Sequence, residues 1–262
     1  MSQQAFLEIE GLTKRFDGCT AIEAITLSIE AGKVTSLIGP NGAGKTTFFN
    51  CITGLIRPTS GFIRFRGELI QSLPPHEITR RGVARTFQNI RLFSEMTVLE
   101  NVMVGRYIQS ALPVAGTFFG ALARSARFVD RERTTQNKAM ALLDFVGLSD
   151  RPDLPSRQLA YGDQRRLEIA RALASEPRLL LLDEPAAGMN PRETDALMGL
   201  IGQLRNQGLT PFLIEHNMKM VMEISDHIIV LDHGVKIAEG TAEAVQNNPM
   251  VIEAYLGKAG VG

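Results

Sequence analysis

The chain has 262 residues, and its 28 Lys and Arg residues balance its 28 Asp and Glu residues, so the formal net charge is zero. This balance argues against a nucleic-acid-binding protein that works through a bulk basic charge. A hydrophobic fraction of 44% and a charged fraction of 21% exclude a disordered chain, and the length suffices for one large domain with a proper core.

Apolar runs predict strands in the first third of the chain. Alternating or continuous apolar residues indicate strands at 7–9, 24–29, 34–38, 61–65 and 83–87. The run at 34–38 stops at a Gly-Pro pair, and we expect a helix at 45–54 to follow it.

The middle of the chain, 89–157, has helical spacing instead. Thr97 and Glu100 form a capping box for a helix that begins at Val98. Apolar positions at helical spacing predict another helix at 138–146. We therefore expect a helical subdomain that is inserted into an α/β core.

An insertion at 105–133 lies inside this helical region. Its stretch 107–123 carries no charge but is interrupted by glycine and proline. We expect a packed helical insertion with a break, and contact with a membrane surface or a membrane protein is the alternative. No apolar run reaches the ~18 residues that a spanning helix needs.

The last third returns to alternating helices and strands. Helices are expected at 164–175, from Pro191 onward, at 241–246 and at 249–256, and strands at 179–182, 210–215, 227–231 and 235–238. The strand at 179–182 is apolar on both faces, which is typical of a parallel sheet that is covered by helices.

The two cysteines and the first residues bear on the compartment. Cys19 and Cys51 cannot form a disulfide framework and lack metal-binding spacing, which favours a reducing compartment. The first residues lack the basic and apolar regions of a secretory signal, so we expect no signal peptide.

The strongest chemical motif is the run GPNGAGKTT at 39–47, which matches G-x-x-x-x-G-K-[ST] between a predicted strand and a predicted helix. Its glycines let backbone amides converge on phosphate oxygens, and the helix start adds a positive dipole end. The run therefore predicts a site for ATP and Mg²⁺. The candidate ATP-binding residues are Gly39, Pro40, Asn41, Gly42, Ala43, Gly44, Lys45, Thr46 and Thr47.

Lys45 supplies a full charge to the β- and γ-phosphates, and the Thr46 hydroxyl is the expected Mg²⁺ ligand. A second part of the site follows the strand at 179–182, which ends in Asp183 and Glu184. In an open α/β sheet, ligands lie at the carboxyl ends of the strands. We expect Asp183 to hold Mg²⁺ through water and Glu184 to orient or deprotonate the attacking water.

The run LAYGDQRR at 159–166 resembles the signature segment of ABC ATPases, the nucleotide-binding domains of ABC transporters. This resemblance covers nearly the whole chain. It implies that Gln88 is the Q-loop glutamine, acting in catalysis and on the metal, and that His216 is the catalytic switch histidine. It also implies that Phe16 stacks on adenine, although core packing is the alternative for this ring.

The resemblance implies one domain over 1–262 of the α/β class. An ABC-type P-loop NTPase core, formed by 1–88 and 158–246, contains antiparallel β strands at its N-terminal end. An α-helical subdomain is inserted at 89–157, and 247–262 is a C-terminal tail.

The resemblance also implies that two such domains face each other head to tail, so that Tyr161 and Gly162 of one chain reach ATP that is held by the other. The signature departs from the usual pattern, with Ala160 for Ser, Tyr161 for Gly and Asp163 for Gln, and Asn190 replaces the usual Asp of the D-loop at 187–190. We still expect hydrolysis, because Lys45, the two carboxylates and His216 are unchanged.

The signature, the segment 183–191, the ending 251–257 and the insertion 105–133 together look like LivG-type ATP-binding subunits of branched-chain amino acid importers. This likeness implies a LivF-type second ATPase subunit or a homodimer, two membrane permease subunits, an indirect link to an external binding protein, and no nucleic acid. It places the chain peripherally on the cytoplasmic side of a bacterial-type inner membrane.

Alternatives are an importer of urea, amides or aromatic acids, a lipid-exporting ATPase, and a non-transport ABC ATPase. Within the transport interpretation, Gln88 and the helical segment at 89–96 that follows it are the expected coupling surface to the permeases. Packing of 89–96 inside the helical subdomain is the alternative.

Overall fold

The computed structural model describes residues 6–107 and 126–256. The strands are β1 (Leu7–Phe16), β2 (Cys19–Ile29), β3 (Thr35–Ile38), β4 (Ser60–Phe65), β5 (Glu68–Leu69), β6 (Val83–Arg85), β7 (Leu179–Asp183), β8 (Thr210–Ile214), β9 (His227–Asp232) and β10 (Val235–Gly240). The helices are α1 (Lys45–Ile52), α2 (Pro75–Arg80), α3 (Val98–Tyr107), α4 (Ala126–Phe145), α5 (Tyr161–Leu173), α6 (Pro191–Asn206), α7 (Met218–Ile224), α8 (Ala242–Gln246) and α9 (Pro249–Leu256), with a 3₁₀ turn at Ser156–Gln158.

The strands form two sheets. Four strands make an antiparallel sheet in the order β2-β1-β4-β5. Six strands make a second sheet in the order β10-β9-β3-β8-β7-β6, in which all neighbours are parallel except the β9–β10 hairpin. The predicted α/β architecture with antiparallel strands near the N-terminus is therefore confirmed.

The parallel sheet has an apolar cluster against each of its faces. Successive side chains of a strand point to opposite sides, so alternate residues enter different clusters. On β7, Leu179 and Leu181 join an apolar cluster that also holds Phe48 and Phe212 and that lies against the antiparallel sheet. Leu180 and Leu182 join a second cluster beneath the helices α3 to α6. This explains why the predicted strand at 179–182 is apolar at every position.

The helical layer contains the predicted capping box. The backbone N–H of Thr97 donates to Glu100 Oε2 at 2.8 Å, and the N–H of Glu100 donates to Thr97 Oγ1 at 3.1 Å. The helix α4 begins at 126, whereas the prediction began at 138. The prediction missed the first turns because they carry few apolar residues and so show no helical period.

The prediction for 107–123 falls almost entirely outside the described residues. The predicted helix at 89–96 was wrong: this segment is a loop between β6 and α3, and the backbone of Phe93 bonds to the side chain of Asn101.

Two short helices and the two-residue strand β5 were not predicted, and two strands were predicted too short: β2 begins at 19 and not at 24, and β1 is also longer than predicted. The helix α2 buries only Ile78, and α7 buries only Met220 and Val221, so neither gives an apolar period to detect. The strand β1 continues beyond the predicted 7–9 to Phe16, and its pairing with β2 contains register shifts that interrupt the alternation.

Candidate functional site

The carboxyl ends of the parallel strands bring the predicted motifs to one edge of the sheet. The phosphate loop follows β3, Asp183 ends β7, and Glu184 follows it. His216 lies two residues beyond β8, and Gln88 lies three residues beyond β6. Because β6, β7, β8 and β3 are parallel neighbours, these segments meet at the edge where α/β sheets bind ligands.

The phosphate loop at 39–44 needs its glycines for space as well as for conformation. Gly39 has a φ of 150°, and a Cβ there would lie 2.0 Å from the carbonyl oxygen of Leu231. Gly44 has a φ of 95°, and its Cβ would lie 2.5 Å from the carbonyl oxygen of Ala21. The backbone can therefore approach its neighbours more closely than any other residue would allow.

Lys45 begins α1 and folds back over this loop. Its Nζ donates to the carbonyl oxygens of Gly39 at 2.7 Å and Pro40 at 2.9 Å, and the residue is buried. Burial lowers the pKa of Lys45, while the charges of Glu184 and Asp183 act to raise it. The ammonium group is thus held inside the loop and within electrostatic range of both carboxylates.

The remaining loop residues differ in exposure. Asn41, Gly42 and Thr46 are exposed, whereas Ala43 is buried and Thr47 is half-buried. The Thr46 side chain is accessible at the start of α1, where the positive end of the helix favours an anion.

Asp183 is buried and forms an ion pair that the sequence did not predict. Its Oδ2 accepts a hydrogen bond from Arg85 Nη2 at 2.6 Å, and the two side chains are only 3% and 5% exposed. Arg85 Nη1 donates to Asn50 Oδ1 at 2.6 Å, and the guanidinium lies over the rings of Phe49 and Phe87. The available signal was an arginine inside the predicted short strand at 83–87, because an arginine that becomes buried there requires a partner.

Glu184 lies between two of the predicted catalytic residues. Its Oε2 accepts a hydrogen bond from Gln88 Nε2 at 2.9 Å, and its Oε1 lies 3.0 Å from His216 Nε2. The backbone of Glu184 has a φ of 48°, which is uncommon for a residue with a side chain. Its N–H donates to the carbonyl oxygen of Ile214 at 2.9 Å, which holds this conformation.

Sequence reasoning also missed Glu215, which precedes His216 and is 3% exposed. Its carboxylate accepts hydrogen bonds from the backbone N–H groups of Ala186, His216 and Asn217. The only sequence signal for this role was an acidic residue at the end of the predicted strand at 210–215.

The donor set at this edge fits Mg²⁺ that is bound together with phosphate. Among residues 6–107 and 126–256, no group of three or more His, Cys, Asp and Glu side chains is arranged to hold a metal by itself. Thr46, Asp183 and Gln88 offer hydroxyl, carboxylate and amide oxygens, the hard donors that Mg²⁺ prefers. With so few protein oxygens, phosphate and water would have to supply the remaining ligands.

Phe16 lies at the end of β1 and is 43% exposed. This exposure is inconsistent with the alternative of core packing. Lys14 Nζ lies 4.8 Å from the ring centroid, so a cation covers one part of an otherwise accessible aromatic face.

The signature residues contact the D-loop region and helix α6 of the same chain. Tyr161, the first residue of α5, is 44% exposed, and its ring lies 3.2 Å from the position of a Cβ on Gly188. A Cβ on Gly162 would lie 2.6 Å from Glu193 Oε1. In the described part of the chain, no hydrogen bond joins Tyr161 or Gly162 to the phosphate loop.

Across 6–107 and 126–256, no helix combines the length and the apolar character needed to cross a bilayer.

The chain matches two family models. Residues 22–187 match the model for the ABC transporter family, and residues 235–261 match that for branched-chain amino acid ATP-binding cassette transporters.

Two relatives match along nearly their whole length. The high-affinity branched-chain amino acid transport ATP-binding protein BraF of Pseudomonas aeruginosa is 50% identical, over 97% of this chain and 98% of that protein. The protein LivG of Escherichia coli K12, which carries the same description, is 47% identical, over 98% of this chain and 99% of that protein.

A solved structure shares the fold. The ADP conformation of an ATP-binding cassette of an ABC transporter superposes with a TM-score of 0.83 at 32% identity, covering 98% of this chain and 100% of that one. The predicted ABC-type P-loop NTPase fold is thereby confirmed. The chain belongs to the ABC transporter family, within its group of ATP-binding proteins for branched-chain amino acid transport.

Proposed function

We propose that this chain binds and hydrolyses ATP to power an importer of branched-chain amino acids. The observation that carries the proposal is the carboxylate of Glu184. Its two oxygens contact the side chains of Gln88 and His216 beside the phosphate loop. A carboxylate that is held by both oxygens at the ligand edge of the sheet is placed to act on a water molecule. The substrate class is supported by the relatives and by the C-terminal match.

Binding is the task of the phosphate loop. The amides of 39–44 and the start of α1 surround the phosphates, and Lys45 turns its ammonium from the loop carbonyls to the β- and γ-phosphate oxygens. Phe16 supplies an accessible ring for the adenine base.

Mg²⁺ would supply charge neutralisation for the phosphate oxygens during hydrolysis. Thr46 and Asp183 would hold the ion, with Gln88 as a third oxygen donor. Arg85 keeps one oxygen of Asp183 engaged, which fixes the orientation of that carboxylate.

Hydrolysis requires a water that is aligned with the γ-phosphorus. Glu184 orients this water and accepts its proton. His216 and Gln88 position Glu184 through the bonds to its two oxygens. Both partners lie on loops that follow other strands, so movement of either loop changes the position of the base.

The productive state in this proposal is a head-to-tail dimer. The start of α5 has unpaired N–H groups and a positive dipole end, and its first residue, Tyr161, is exposed. Ala160, the N-cap, brings no side-chain cap, so these amides are available to an anion. Tyr161 and Gly162 would then complete the ATP site of a LivF-type partner or of a second copy.

The membrane permeases are proposed to dock beside Phe93. The backbone of Phe93 is tied to Asn101 by hydrogen bonds of 2.9 and 3.1 Å, while its ring is 47% exposed. The ring borders a cavity of about 320 Å³ that Arg171 also lines. An anchored backbone with an exposed aromatic side chain suits a partner surface. Through this contact the chain would associate peripherally with the cytoplasmic face of the membrane.

The catalytic part of the proposal is tested with Glu184→Gln, which keeps the size of the side chain and removes its basicity. We expect ATP turnover to fall about a hundredfold or more, with ATP affinity retained, because a base acts in the transition state. Glu243→Gln, the same change at an exposed carboxylate of α8, is the matched control. Near-normal turnover of Glu184→Gln would refute the role of Glu184.

The transport part is tested by reconstitution with the neighbouring permeases and binding protein in proteoliposomes. Binding protein that is loaded with leucine, isoleucine or valine should stimulate ATP turnover. If urea, amides or aromatic acids stimulate ATP turnover instead, the chain belongs to a related importer with that substrate. Failure to assemble with any permease would favour a non-transport ATPase.

A further inference from the structure

Glu215 is a buried acid that the chemistry described above does not use. It follows β8, and its exposed fraction is 3%. Its Oε1 accepts a hydrogen bond from the N–H of Ala186 at 2.8 Å. Its Oε2 accepts from the N–H groups of His216 at 3.0 Å and Asn217 at 3.3 Å.

Burying a carboxylate costs free energy unless hydrogen bonds satisfy it. Among the described residues, no Lys, Arg or His lies within ion-pairing distance of Glu215, so backbone amides alone satisfy it. Hydrogen bonds to a charged acceptor are stronger than neutral ones. The carboxylate is therefore a strong local tie between the segments that supply those amides.

Those segments are the two catalytic loops. Ala186 lies two residues after Glu184, in the loop that leaves β7, whereas His216 and Asn217 open the loop that leaves β8. One oxygen of Glu215 thus holds the first loop, and the other oxygen holds the second.

The same two loops set the 3.0 Å separation between Glu184 Oε1 and His216 Nε2. The hydrogen bond from the backbone N–H of Glu184 to Ile214 anchors only the first residue of this loop to the end of β8. The bond from Ala186 to Glu215 holds the loop two residues further on. The geometry points to Glu215 as a positioning residue that sets the alignment of Glu184 against His216. This inference rests on the proposed function of Glu184.

Both oxygens of the carboxylate are needed for this task. A glutamine has one acceptor and one donor, so its –NH₂ group would face a backbone N–H on one of the two loops. An aspartate is shorter by one methylene and reaches its own chain neighbours better than Ala186. We therefore expect both substitutions to loosen the link between the loops.

The first test compares the steady-state kinetics of Glu215→Gln with those of the parent. We expect kcat to fall about tenfold to a hundredfold, because small displacements of a catalytic group are costly. The dissociation constant for ATP should change less than about threefold, because Glu215 has no bond to the phosphate loop. Glu223→Gln, at an exposed acid of the adjacent helix α7, is the matched control and should leave kcat unchanged.

The second test asks whether Glu215 acts through Glu184. In a Glu184→Gln chain, adding Glu215→Gln should lower single-turnover hydrolysis by less than about twofold, because the base is already absent. A general loss of folding would instead multiply the two effects. Multiplied losses would overturn the inference.

The outcomes separate this inference from the proposed function. If Glu184→Gln abolishes turnover while Glu215→Gln keeps a normal kcat, the positioning role is wrong and the proposed function stands. If Glu184→Gln itself turns over normally, the proposed function fails first. If Glu215→Gln does not fold, Glu215→Asp decides by the same kcat measurement, and failure of both variants to fold would assign a structural role and overturn the inference.

Discussion

Replacing Arg85 by methionine should destabilise the whole domain, because the change leaves Asp183 buried without its partner. The side chains of Arg85 and Asp183 are 5% and 3% exposed and meet at 2.6 Å. Methionine is unbranched and similar in volume, and it can pack against the rings of Phe49 and Phe87, which lie 5.6 and 5.2 Å from the guanidinium carbon. The substitution therefore removes charge and hydrogen bonds with little change in packing.

The magnitude follows from the burial of the pair. Breaking a buried ion pair on one side costs about 3–5 kcal/mol, since the remaining charge is uncompensated. Arg85 Nε is itself buried without a hydrogen-bond partner among the described residues, so its removal returns part of that cost. We therefore expect the free energy of unfolding to fall by about 3 kcal/mol, which lowers Tm by roughly 6–12 °C in a domain of this size.

Urea unfolding followed by far-ultraviolet circular dichroism measures this change, because urea is uncharged and the chain has no tryptophan. The double variant Arg85→Met/Asp183→Asn should recover about 2 kcal/mol, since no charge is left unpaired. Arg81→Met is the control, because Arg81 is 35% exposed where it pairs with Glu68 and Glu77, and we expect a loss of about 0–1 kcal/mol. A loss below about 1 kcal/mol in Arg85→Met, or no recovery in the double variant, would refute this reasoning.

Four further predictions concern other parts of the chain. Lys45→Ala should weaken ATP binding by about 1.5–3 kcal/mol in calorimetry, and unchanged affinity would exclude a contact to phosphate. A Lys45→Ala chain mixed with an Ala160→Asp chain should regain part of the ATPase activity, because one of the two shared sites carries neither lesion; no recovery in proven mixed dimers would contradict the shared site. Phe93→Asp should abolish co-purification with the permeases while ATP binding persists, and misfolding would show that the ring belongs to the core. Burial raises the pKa of Cys51 to about 11, so a maleimide should label Cys19 alone until the chain unfolds, and rapid native labelling of Cys51 would contradict its burial.

The choice of Ala160 in the mixing experiment depends on the tertiary structure. From the sequence alone, Gly162 would be the residue to replace by aspartate. A Cβ at this position would lie 2.6 Å from Glu193 Oε1. An aspartate there would be repelled inside its own chain, and the experiment would not separate this from repulsion across the dimer. Ala160 is the N-cap of α5, where aspartate is a preferred residue, so the helix should form normally.

The sequence by itself determined the parts of this protein whose chemistry is local. The phosphate loop is one continuous run in which glycines, Lys45 and a helix start follow a buried strand, and all residues of the motif lie within nine consecutive positions. The same holds for the acidic end of β7, whose apolar run requires burial on both faces. The helix α3 was predicted because its capping box is also local. Short helices such as α2 and α7 were missed, since one or two buried residues make no periodic pattern.

The tertiary structure alone decided which distant side chains meet. Arg85 and Asp183 are 98 residues apart in sequence, and they pair because β6 and β7 are parallel neighbours in register, with Arg85 opposite Leu181. The two bonds to Glu184 and the tie made by Glu215 depend in the same way on the strand order of the parallel sheet. Neither hydrophobic periodicity nor a motif encodes strand order directly, because many orders bury the same apolar residues equally well. The residues that position Glu184 therefore become visible only when the strands are placed side by side.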